Sequence, residues 1–122
     1  MDRLLKYRLY DINTAIEEVY SFFEQVPKRF DEYQKNLMLR RAIERNIGTI
    51  GEATSQILKE NPEIKISNAR AIIATRNRVI HDYVAVNDDV IWKIVIKDLP
   101  QLKDEVTRLM SEDEAEPGDG NW

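Results

Sequence analysis

Seven apolar residues, Leu5, Leu9, Ile12, Ile16, Val19, Phe23 and Val26, recur at alternating spacings of four and three. A step of about 3.5 residues keeps side chains on one face of a helix and scatters them on a strand. The stripe spans about six helical turns. It predicts one amphipathic helix over residues 2–26, which must lay that face against a core. Pro27 stops it, because proline has no N–H to continue the ladder.

A second long helix is expected from Asp31, with Gln34 three residues on in the form of a capping box, to Asn61-Pro62. Tyr33, Leu37, Ile43, Ile47, Ile50, Ile57 and Leu58 are its apolar positions, and its length would be about 45 Å. Gly48 and Gly51 each weaken a helix by about 1 kcal/mol against alanine, so close packing against another helix is the expected reason for both. A third helix begins near Ser67 or Asn68, which suit an N-cap, and carries Ile72, Ile73, Val79 and Ile80. Asn87-Asp88-Asp89 reads as a turn and cap before Val90, Ile91, Ile94 and Val95. A further capping box, Asp98 with Gln101 around Pro100, precedes Leu102, Val106 and Leu109. No alternating strand pattern and no repeat is present. The predicted fold class is all-α, an antiparallel bundle of four to five helices over residues 1–110.

Residues 111–122 hold five acids, no base and no periodicity, and are expected to be a disordered acidic tail. They hide the charge of the rest. The 122 residues sum to −4, but residues 1–110 carry 18 bases against 17 acids, and residues 28–78 carry 11 Lys/Arg against 6 Asp/Glu. Such an excess attracts a phosphate backbone. A merely solvated helix face explains the charge more simply. Cysteine is absent, which excludes disulfides and thiolate metal sites and suits a reducing, cytoplasmic setting. One histidine leaves little for a zinc site. No apolar run approaches the ~20 residues of a membrane span, and the charged N-terminus lacks the form of a secretory signal.

That histidine stands in Arg76-Asn77-Arg78-Val79-Ile80-His81-Asp82-Tyr83. An Arg-x4-His pair by itself arises often by chance, and a sole His is equally a part-buried residue satisfied by a carbonyl. The wider chain adds more. Arg-x4-His-x-Tyr, together with Arg41-Ala42-Ile43-Glu44-Arg45, Ile50-Gly51-Glu52-Ala53, Asn61-Pro62-Glu63-Ile64, Val90-Ile91-Trp92 and Asp98-Leu99-Pro100, resembles the HepT branch of the HEPN proteins across nearly the whole folded part. One departure is Ile64-Lys65-Ile66-Ser67-Asn68-Ala69, where many relatives have a Pro-Trp pair.

The resemblance implies a metal-independent endoribonuclease without cofactor, the toxin of a toxin–antitoxin pair. It implies Arg76 and His81 as the catalytic pair and Asn77 as the polar residue beside them. It also implies a minimal nucleotidyltransferase antitoxin that transfers AMP to Tyr83. The alternative is a non-catalytic helical dimer that binds and regulates such a partner, and Tyr83 also suits ordinary packing at a helix end.

Two arguments from the residues point to a homodimer. Positions five apart differ by about 140° around a helix, so Arg76 and His81 share a face only through a kink, a long arginine reach, or a second protomer. RNA transesterification needs both a base and an acid. Histidine, titrating near about pH 6.5, serves either task, but one chain supplies one. Glu44 is expected to bridge Arg40, Arg41 or Arg45 on the surface. For Glu52, the same surface role and a pairing with Arg76 both stay open. Trp92 is expected to anchor a core or interface.

Overall fold

The aliphatic stripe of the first segment does form a helix, α1 (Arg3–Phe22), and Leu9, Ile12, Ile16 and Val19 are completely buried along it. The computed structural model describes residues 2–81 and 87–115, giving the backbone alone for 78–81 and 113–115. Helix α1 ends four residues before Val26. Its last turn tightens, with the Phe23 and Glu24 N–H groups donating to Tyr20 and Ser21, three residues back. Pro27 disfavours helical backbone at the residue before it, so the ladder closes early. Phe23 and Val26 still pack on the core, half-buried.

The expected single second helix is two. Helix α2 (Phe30–Lys35) is separated from α3 (Leu37–Glu60) by Asn36, whose backbone is extended (φ −107°, ψ 97°). The Asn36 side chain accepts the Leu39 N–H at 2.9 Å and so caps α3. Asparagine offers the backbone this local alternative to helix, which the surrounding apolar periodicity conceals. The capping box at Asp31 does not form. Arg29 occupies the N-cap position of α2, and Asp31 pairs with the Arg29 guanidinium instead. The break lets α2 bury Tyr33 fully beside Phe30 and Trp92. Burial, with Asp88 and Glu44 behind it, pushes the Tyr33 hydroxyl well above its ordinary pKa and keeps the phenol neutral. Helix α3 ends at Asn61 ahead of Pro62, as the sequence indicates.

Helix α4 (Ala69–His81) follows Asn68, which takes the left-handed φ of 59°. The Asn68 carbonyl accepts the first helical bond, from Ile72, so its backbone does sit at the start of the helix. Its side chain serves another purpose. The amide donates to Asp98 and Gln101, while both carboxylate oxygens of the buried Glu105 accept the Ser67 N–H. The entrance to α4 is thereby fixed to the last helix.

Asn87 caps α5 (Asp88–Lys93), accepting the Asp89 N–H at 2.8 Å, as expected. Helix α5 continues through a single π-helical stretch (Ile94–Asp98) straight into α6 (Leu99–Ala115). Asp98 and Gln101 therefore do not start a new helix. The wider turn makes room for the Pro100 ring, which would otherwise meet a carbonyl of the preceding turn. Helix α6 also takes in residues 111–115, the first part of the acidic stretch read as a tail; 116–122 lie outside the described residues.

The architecture is an all-helical bundle with no strand among the described residues. Helix α3 is central, packed on α1, α4 and α2, while α6 covers α1. Among the described residues, no helix is long and apolar enough to cross a membrane.

Candidate functional site

Of the sequence-predicted site residues, Arg76 stands where α4 crosses α3. A Cβ on Gly51 would lie 2.3 Å from Arg76 Cβ, 2.8 Å from Arg76 Cγ and 3.2 Å from the Ile72 carbonyl oxygen. Only glycine fits there, and the Arg76 stem lies directly across it. Gly48 has no such reason, because a Cβ there meets nothing within 4 Å. Gly48 instead borders an open groove with Arg8, Arg45, Glu52 and Gln56. Close packing thus explains one of the two glycines, and nothing in the structure explains the other.

From this seat the Arg76 guanidinium reaches two partners. Its Nη2 pairs with Glu52 Oε2 on α3, and its Nη1 donates to Asn77 Oδ1 at 2.7 Å. Glu52 is itself held, since Gln56 Nε2 donates to its other oxygen, Oε1, at 3.1 Å. Arg76 Nε is buried and has no acceptor among the described residues. The Arg76 side chain keeps 22% of its surface and Glu52 keeps 46%. The arrangement is a permanently charged, planar fork on a fixed stem, with donors to spare at the protein surface. Such a group suits recognition of a phosphate or of charge developing on one.

Both questions about the acids of α3 now have answers. Glu44 pairs with the exposed Arg41 at 2.8 Å, as expected, though its own side chain keeps only 12% of its surface, whereas Glu52 pairs with Arg76. The basic excess over residues 28–78 survives pairing, because four of the pairs use acids of the same segment and the Arg40–Asp88 pair is offset by Glu60 pairing with Arg8. Arg29, Lys35, Arg40, Arg41 and Arg76 are each within an ion pair, and Arg45 is exposed with none among the described residues. Trp92 is an anchor, its ring 5.4 Å from Tyr33, 5.9 Å from Phe23 and 6.1 Å from Phe30.

Asn77 is exposed and bonded to Arg76, so two of the sequence-predicted site residues are together. His81 is the final residue of α4, and its side chain lies outside the description; Tyr83 lies outside the described residues altogether. Helix α4 is an unbroken α-helix from Arg76 to His81. Sequence reasoning passed over Gln56, for which the available signal was its position one turn after Glu52 on the same helix. Among the described residues no three His, Asp or Glu side chains are grouped to hold a metal ion.

Comparison with known proteins places this arrangement in context. The ribonuclease HepT-like family profile matches residues 12–109. A candidate RNase of Methanocaldococcus jannaschii is 34% identical over 106 residues, covering 85% of this chain and 94% of the relative. A candidate RNase of Caldanaerobacter subterraneus is 33% identical over 86 residues, covering 69% and 76%. A protein of Thermococcus cleftensis named as a probable ribonuclease HepT is 32% identical over 113 residues, covering 89% and 98%. No solved structure matches the chain.

Proposed function

Because the chain belongs to the HepT-like ribonuclease family, we propose that it is a metal-independent endoribonuclease acting as a toxin, with Arg76, Asn77 and His81 as its catalytic residues. The observation that carries this reading is the seat of Arg76: a stem held over Gly51, a guanidinium oriented by Glu52 and Asn77, and an edge still open to a ligand.

The substrate is RNA in a single-stranded or loop region, where the backbone can turn the 2′-hydroxyl in line with the scissile phosphorus. His81 of one protomer takes the proton of that hydroxyl as the oxygen bonds to phosphorus. Arg76 stabilises the charge that gathers on the phosphorane oxygens. The bond to the 5′-oxygen then breaks, and His81 of a second protomer protonates the leaving oxygen. The products are a 2′,3′-cyclic phosphate and a 5′-hydroxyl. A homodimer suits this mechanism because each chain supplies one histidine and the reaction uses two.

Control falls to a minimal nucleotidyltransferase antitoxin that transfers AMP to Tyr83. That residue stands two positions after His81 and seven after Arg76, so an added AMP phosphate would compete with substrate for Arg76. The pairing of Arg76 with Glu52 favours a second reading, a non-catalytic dimer that only binds and regulates such a partner.

One experiment separates the two. Purified wild type is incubated with single-stranded RNA in EDTA, and the fragment ends are identified. The nuclease reading expects cleavage with cyclic-phosphate ends that is lost in His81→Ala. Cleavage abolished by EDTA would remove the mechanism, and intact RNA would favour the binding module.

A further inference from the structure

Gln56 begins a run of polar contacts that ends on Arg76. Its Nε2 donates to Glu52 Oε1, Glu52 Oε2 meets Arg76 Nη2, and Arg76 Nη1 donates to Asn77 Oδ1. We propose that Gln56 is a positioning residue for Arg76, acting through Glu52. This rests on the reading of Arg76 as a catalytic group.

The need for such a residue follows from the exposure of Glu52. A glutamate side chain on a helix surface has several rotamers, and a half-exposed ion pair alone gains little from holding one of them. Gln56 lies one turn further along α3, where positions i and i+4 face each other. Its amide occupies one carboxylate oxygen and leaves the other directed at α4.

The Gly51 contact settles where Arg76 Cβ and Cγ lie, but the outer torsions of the side chain remain free to turn. Two contacts restrain them. Asn77 is the next residue on the same helix and is itself exposed, so it offers little fixed reference. Glu52 is the contact that ties the guanidinium to a different helix, and among the described residues it is the sole acid paired with Arg76. Fixing Glu52 is therefore how α3 fixes the fork. An orientation of this kind counts when charge develops on the phosphorane and much less when RNA first binds.

The test uses the full chain and a short single-stranded RNA. Gln56→Met keeps the length and apolar stem of the side chain and removes the donor. It should lower kcat about 3–10-fold with KM within about twofold, since one oriented contact rather than a binding group is lost. The melting temperature should not move. Guanidinium NMR gives a readout that does not depend on turnover. In the wild type, hindered rotation should keep the Arg76 Nη signals separate; in Gln56→Met and in Glu52→Gln they should merge.

Wild-type kcat in Gln56→Met, beside an inactive Arg76→Ala, would overturn the proposal. Unchanged Arg76 signals in Gln56→Met would overturn it as well. If Arg76→Ala cleaves at the wild-type rate, the catalytic reading of Arg76 falls, and the NMR comparison alone decides whether Gln56 positions it.

Discussion

Helix α3 meets α1 and α4 through different materials. The core that α1 and α3 share is aliphatic, with Leu9, Ile12, Ile16 and Val19 from one helix and Ile43, Ile47 and Ile50 from the other all at 0% exposure. Its one buried amide, Asn46, is satisfied by the Ala15 carbonyl and the Glu18 carboxylate. Toward α4, the same helix presents a glycine, and an arginine stem fills the place of the missing side chain. Apolar burial is non-directional and roughly proportional to area, so the first contact stabilises the bundle without requiring any particular atom to be in one spot. The second also buries apolar side chains, Ile72 and Ala69 of α4 among them, but at Gly51 it admits nothing larger than hydrogen, so it fixes where one charged group can stand. Both faces bury apolar residues, and placement of a charged group falls to only one of them.

That difference can be broken at either face. Ile47→Ala deletes fully buried methyl groups and should cost about 2–5 kcal/mol in urea unfolding. Cleavage per folded molecule should stay near the wild-type value; if it collapsed, the aliphatic face would also be placing the site. Gly51→Ala should cost less, about 1–2 kcal/mol. Overpacking against Arg76 outweighs the better helix propensity of alanine. Its effect on cleavage per folded molecule should be the larger of the two, because α4 and Arg76 must shift to admit the Cβ. A Gly51→Ala protein more stable than wild type and fully active would end the comparison. Smallest of all, truncation after Met110 should change stability by under about 0.5 kcal/mol, since it removes only the exposed Ser111 and Glu112 among the residues with described side chains. A large fall in melting temperature would show the acidic segment to be part of the bundle.

The aliphatic face was the legible one. A period held over Leu5 to Val19 survives any local detail, and the same holds for Ile43, Ile47, Ile50 and Ile57 on α3. The misreadings came where a single residue type carries two meanings. Asn36 inside an apolar run looks like helix and acts as a cap. Pro100 looks like a break and is carried through by a π turn. Gly48 and Gly51 give the same signal, yet only the second meets a neighbouring helix.

For the site, the Arg76–His81 string was visible because it is local. The pairing of Arg76 with Glu52 joins two helices and depends on how α4 crosses α3, which no periodicity encodes. Gln56 drew no notice, since an amide on a helix surface acquires meaning only from the carboxylate beside it.

The claim that the α3–α4 contact exists to place Arg76 for RNA cleavage is tested most directly by Arg76→Ala. The guanidinium is part-exposed and its ion pair contributes little to folding, so the variant should unfold within about 1 kcal/mol of wild type. If Arg76 stabilises the phosphorane, cleavage of single-stranded RNA should fall by about 100-fold or more. An Arg76→Ala protein that is folded and cleaves within about threefold of wild type, less than 1 kcal/mol on the barrier, would contradict the account.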